Sequence, residues 1–598
     1  MDWDLRSYFA SFESPAYASF KEDLTAAING LNEQARELLE TPSLSGWETF
    51  LTEYEAVMER YSHLASYISC LTAADARNET YLKEETALAE VQAIVSKVLD
   101  KVIRGLGLLS EETFEELLLR ESLREAGFRL REWRRESRNR MAAELEDLAA
   151  DLGINGISAW SRLYFTTMGN LKFTYTDPES GPTEVPMAQL NNLLAGPDRA
   201  RRIAASEGAG QTFEEHQHLY AGALNAISGT RHVLNKRREV EDFLEPSLQQ
   251  SRIRPETLRA LMTAIEDRLP FAREVFRFRS ERLGIDDPGW VDLRAPLPLG
   301  NKSGPPWEEG VRLISGAFNA VYPGLGAFFD ELVDKQWVDH TPRPGKRPGG
   351  FCTGSLMTRE SRIFMTYKDT LNDVLTLAHE AGHAWHSRVL SGTRVLASQY
   401  PMTLAETAST LAERMLTEGV MLDSGIEDTA KLIILDAEIE HMLAFLLDLP
   451  IRFRFEKAVY ERRRTGTLSA GELCDLMRDT QRTVFGDVMS EGREDPWFWA
   501  SKMHFYINQV QFYNYPYTFG FLLSTAYMQN FRETGPEGLK TYERFLARSG
   551  QSTCEEVVRE TLGADLADPA FWTRMIDGLE RPFKQYQELL AKVKLQGP

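Results

Sequence analysis

The chain has 598 residues, 43% hydrophobic and 26% charged, the balance of a globular protein long enough for two or more domains. Acidic residues outnumber basic ones by 21, which argues against a nucleic-acid binder, because phosphate affinity needs clustered Lys and Arg. No stretch approaches the roughly 20 apolar residues of a membrane helix, so no membrane partner is expected.

The opening "MDWDLRSYFASFESP" carries two early aspartates and no apolar core of a signal peptide. Cys70, Cys352, Cys474 and Cys554 are far apart and form no C-x-x-C pair. Such cysteines point to thiols in a reducing cytoplasm, not to a sulfur-ligated metal. Residues 14–40, 46–75 and 79–106 place apolar residues every three or four positions between Glu, Lys and Arg, which predicts amphipathic helices. Residues 110–153 continue the pattern, and "SEETFEE" opens that stretch with a cap and an acidic first turn. "LKFTYTDPESGPTEVP" alternates around turn residues and predicts a hairpin. We place a domain boundary after it, giving 1–195 and 196–598. Helices resume to about 245. Two Gly/Pro-rich loops follow, at 293–310 and 340–355, then a strand at 361–367.

Next comes "LAHEAGHAWHS" (377–387), containing H-E-x-x-H. Chance gives only about 0.01–0.02 such motifs in a chain of this composition. Four-residue helical spacing stacks His379 and His383 on one face, where both imidazoles reach one Zn²⁺. Glu380 beside them is placed to take a proton from water at that ion. His386 shares the face but lies about 10 Å from His379 along the helix, too far for one tetrahedral ion. It reads as a packing or supporting residue. The third ligand is sought in "PMTLAETASTLAERM" (401–415), where Pro401 opens a helix. Glu406 sits there among small apolar residues, a setting that disfavours a lone carboxylate unless a cation is near. Glu413, seven residues on, is placed to hydrogen-bond a ligating histidine, and the two glutamates exchange roles in the alternative assignment. Farther on, "WFWASKMHFYINQVQFYNYPYTFGFLLS" (497–524) supplies His504, Tyr506, Tyr513, Tyr515 and Tyr517, neutral donors suited to an oxyanion.

Together, "LAHEAGHAWHS", "AETASTLAE" and "HFYINQVQFYNYPYTFG" resemble the oligoendopeptidase F branch of the thimet-oligopeptidase-like zinc peptidases. The likeness covers roughly 200–590, and the hairpin and "LNNLLAGPDRARRIA" extend it. It implies a mostly α, two-lobed fold around a deep channel, with a small sheet from "GGFCTGS" to "RIFMTY" beside the zinc. It implies one Zn²⁺ per chain on His379, His383 and Glu406, with Glu380 as base. His504 and a tyrosine are the implied transition-state donors, Tyr513 first and Tyr517 in reserve. The expected function is endopeptidase cleavage of short unfolded oligopeptides. The alternatives are a zinc exopeptidase of carboxypeptidase type and a non-catalytic helical scaffold.

Overall fold

In the computed structural model, residues 1–299, 304–593 and 595 are described. Positions 300–303 of the first Gly/Pro-rich loop lie outside them. The chain packs as two compact units, each assembled from three separate stretches. The first unit takes Met1–Arg140, Ser303–Ile426 and Ala526–Gly563, and the second takes Met141–Lys302, Glu427–Thr525 and Ala564–Pro598. The expected boundary at 195/196 falls inside the second unit, between the helices Met187–Leu194 and Arg199–Glu215.

The first unit begins with three long helices, α1 (Pro15–Glu40), α2 (Leu44–Ala74) and α3 (Glu79–Leu108). Each starts where the sequence offers a cap. The Ser14 hydroxyl accepts from the Tyr17 N–H at 3.2 Å, and Ser43 and Asn78 do the same for the next two. Leu24, Ile28, Leu31 and Ala35 form the buried stripe of α1. Burial of each large aliphatic side chain in such a stripe contributes about 1.5–3 kcal/mol. The 110–153 stretch is helical but broken. Ser110 caps Glu111–Leu118, a tighter turn and Gly127–Ser137 follow, and the next helix starts only at Ala143. Arg138, Asn139 and Arg140 offer no apolar face to bury, so nothing supports a helix there.

A three-stranded sheet, in the order β3–β5–β4, belongs to the same unit: β3 (Val338–Asp339), β4 (Phe351–Ser355) and β5 (Glu360–Phe364). The expected loop 340–355 therefore ends in a strand. β4 runs antiparallel to β5, pairing Cys352 with Ile363. Helix α2 braces this sheet: His63 Nδ1 lies 2.7 Å from the Ser355 hydroxyl, and Thr353 donates to Ser66 at 3.2 Å. Beyond β5, Thr370 and Asp373 exchange a reciprocal cap that opens the helix Leu371–Val389.

The second unit contains the predicted hairpin, β1 (Lys172–Asp177) against β2 (Gly181–Pro186). Asp177 accepts the N–H groups of Glu179 and Ser180, each at 3.0 Å, and Gly181 takes a left-handed φ of 79° to close the turn. Its longest continuous helical run spans Asp428–Leu443, a five-residue π turn at Ala444–Asp448, and Leu449–Arg463. No helix among the described residues is long and apolar enough to cross a membrane.

Candidate metal centre

His379 and His383 project from one face of the helix Leu371–Val389, their rings 5.0 Å apart and crossed at 83°. The helix Met402–Leu422 packs directly against this one. A Cβ at Gly382 would lie 2.6 Å from the Ala408 carbonyl oxygen and 2.8 Å from Ser409 Cα. Only glycine permits that approach, and it brings Glu406 alongside the histidines. One donor atom from each of His379, His383 and Glu406 lies within 4.8 Å of the others. His379 Nε2 and Glu406 Oε2 are 3.6 Å apart. Two ligands at about 2.0–2.1 Å on a tetrahedral ion stand roughly 3.3 Å apart, so this donor set fits a zinc-sized cation.

The supporting contacts orient the donors. Glu413 Oε1 lies 2.5 Å from His379 Nδ1, which leaves Nε2 free to face Glu406 and available to a cation. Ser409 donates to Glu406 Oε2 at 3.0 Å. Sequence reasoning passed over Ser409, although its i+3 spacing from Glu406 in "ETAS" was the available signal. His386 is fully buried, 2.9 Å from the Ser549 hydroxyl and stacked on Tyr400 at 3.8 Å. It packs the helix and lies outside the donor group.

The electrostatics of the site favour a cation. Burial pushes Glu380 up to about 7; the His379 charge opposes this, while Glu406 and Glu413 add to it. Burial likewise raises Glu406. Burial alone would depress His379, but the Glu413 hydrogen bond and the surrounding carboxylates carry it up to about 9. Burial and the neighbouring His379 bring His383 down to about 3. Glu380, Glu406 and Glu413 repel one another less once a divalent charge enters, and His383, held neutral, keeps its lone pair available for it. Glu413→Ala removes the orienting carboxylate and should lower metal affinity roughly 10–100-fold, measured by competition with a chromogenic chelator.

The other predicted site residues lie in the second unit. His504 sits in the turn Met503–Tyr506, Tyr513 in the irregular stretch after it, and Tyr517 in the helix Tyr515–Thr534. Their rings form one cluster: His504 is 6.1 Å from Tyr513 and 6.4 Å from Tyr517, and the two tyrosines are 5.7 Å apart. Burial, aided by the charges of Arg452 and Lys502, lowers His504 to about 4, so its imidazole is neutral at pH 7. Tyr506 and Tyr515 stand apart as core residues. Tyr506 stacks on Tyr164 at 3.7 Å, and the Tyr515 hydroxyl donates to Ser251 at 2.8 Å.

The model of peptidase family M3 matches residues 302–576, and that of oligopeptidase F matches 106–173. The chain belongs to peptidase family M3. Membership makes it a metallopeptidase and implies a metal cofactor and peptide substrates. This M3 peptidase is 25% identical over 409 residues to an oligoendopeptidase F homolog of Lactococcus lactis subsp. lactis, covering 67% of this chain and 66% of that relative. It is 22% identical over 550 residues to oligopeptidase PepF of Bacillus subtilis, covering 91% and 81% of the two chains. The crystal structure of oligoendopeptidase-F from Enterococcus faecium superposes with a TM-score of 0.71 at 19% identity, covering 96% of this chain and 99% of that one. That likeness shows a shared, mostly helical fold.

Proposed function

We propose that this M3 peptidase is a zinc-dependent endopeptidase that hydrolyses internal bonds of short, unfolded oligopeptides. The observation that carries the reading is the convergence of His379, His383 and Glu406 from two helices that cross at Gly382. When bound by these three residues, one zinc ion per chain supplies Lewis-acid polarisation and makes water more acidic. Glu380, 7% exposed and next to a ligand, accepts the proton of the attacking water and hands it to the leaving amine nitrogen. His504 and Tyr513 donate hydrogen bonds to the developing oxyanion, and Tyr517 is the reserve donor. β4 lies at the edge of its sheet, and its backbone is suited to pair with extended peptide irrespective of side chains. The names of the Lactococcus and Bacillus relatives support the same substrate class. We place the protein in the cytoplasm.

Mass spectrometry of a mixed peptide pool, with and without chelator, tests this reading. Internal cleavage of peptides blocked at both ends, abolished by chelation, is expected. Cleavage confined to peptides with a free terminus would make the enzyme an exopeptidase instead, and no cleavage with zinc present would leave a scaffold.

A further inference from the structure

A ladder of buried polar side chains runs along one face of the helical run that crosses the π turn. Asp448, Arg452, Glu456 and Tyr460 recur at four-residue spacing and are each less than a tenth exposed. Such a stripe is costly inside a unit unless every group has a partner. The partners here lie in or beside one segment, 502–518, which carries His504, Tyr513 and Tyr517. Arg452 pairs with Asp448 at 2.7 Å, and the Arg452 and Lys502 cations lie over the Phe498 ring at 5.5 and 4.6 Å. Tyr460 accepts from Arg231 at 2.6 Å. That guanidinium also donates to the carbonyls of Ile507 and Val510 at 2.7 and 2.6 Å. Thr518 donates at 3.0 Å to the Phe445 carbonyl within the π turn.

Glu456 makes the most telling contact. Its Oε1 accepts the backbone N–H of Phe512 at 2.9 Å. Phe512 has φ of 53°, a left-handed conformation that a bulky residue adopts only under constraint. Its ring is fully buried against Phe243, Phe453 and Tyr460 at 5.1–5.9 Å. Without an acceptor for its N–H, the Phe512 backbone would relax toward negative φ and swing the Cα of Tyr513, the next residue. The rest of the ladder would still hold Ile507 and Val510.

We propose that Glu456 is a positioning residue for Tyr513: it pins the left-handed Phe512 and so sets where the Tyr513 hydroxyl stands beside His504. This rests on the reading of Tyr513 as an oxyanion donor. E456M removes the acceptor at similar volume, whereas E456Q keeps an amide oxygen in its place. E456M should lower kcat on the order of 10²-fold with KM little changed, because displacement by about 1 Å is enough for such a loss. E456Q should recover most of that loss. Y513F should lower kcat about 10²–10³-fold, as removal of an oxyanion donor does, and the double variant E456M/Y513F should be no slower than Y513F alone.

Multiplying losses in the double variant, or an E456M enzyme with wild-type kcat beside a crippled Y513F, would overturn the inference while leaving the role of Tyr513 intact. A fully active Y513F would overturn both. Should E456M fail to fold, hydrogen exchange on the wild-type protein decides: the Phe512 amide, outside any helix, should exchange orders of magnitude more slowly than an unprotected amide. Unprotected exchange there would overturn the pinning.

Discussion

Glu380→Gln should leave the metal in place and reduce kcat by about 10²–10⁴-fold, the range that positioned general acid–base groups contribute. The substitution preserves shape and a hydrogen-bonding oxygen but removes the site where the proton resides between water and leaving group. Glu380 is buried to 7% exposure, flanks His379, and would lie 3.5 Å from a Cβ at Gly350, at the start of β4. It is not one of the three convergent donors. Metal content should therefore remain near one ion per chain while turnover collapses, with elemental analysis and single-turnover kinetics read on the same sample. Retention of most activity by Glu380→Gln would remove it as the base.

Glu406→Ala should abolish stable metal binding and, with it, activity. His379 and His383 alone offer two donors, short of the three protein ligands a catalytic zinc site requires. Glu406 is the donor that ties the second helix to the first. Zinc should raise the melting temperature of the wild-type protein in proportion to RT ln(1 + [Zn]/Kd) and leave that of Glu406→Ala unmoved. A zinc-dependent shift of wild-type size in the variant would show that another group completes the site.

Much of the fold was legible because amphipathic helices announce themselves locally. The stripe Leu24, Ile28, Leu31 and Ala35 and the caps Ser14, Ser43 and Asn78 need nothing beyond neighbouring residues. The histidine pair was legible for the same reason, since four-residue spacing is itself a statement about one helical face. Other features depend on contacts distant in the chain. Glu406 and Glu413 share a face, and spacing alone cannot rank them; the depth of the Gly382 crossing sets one beside His379 Nε2 and the other on Nδ1. The tyrosines of 506–517 are equivalent by composition. They separate according to burial and partners, with Tyr506 against Tyr164, Tyr515 on Ser251, and Tyr513 and Tyr517 grouped with His504. The ladder from Asp448 to Tyr460 was visible as a spacing, but charged residues at helical intervals ordinarily face solvent. Only burial reveals that these face inward.

The interleaving of the two units bears on how a cell makes this protein. The unit that carries both ligand helices draws its last stretch from Ala526–Gly563, which includes Ser549 under His386 and Cys554 beside Thr403. A ribosome adding ~5–20 residues per second needs roughly 30–110 s to reach that point. From the end of the H-E-x-x-H helix at Val389 to that point, roughly 9–35 s at the same rate, the nascent chain carries the helix without its complete surroundings, so hydrolytic power arises only near the end of translation. The same delay leaves apolar helix faces uncovered, which makes the growing polypeptide a client for chaperones rather than a cutter of its neighbours.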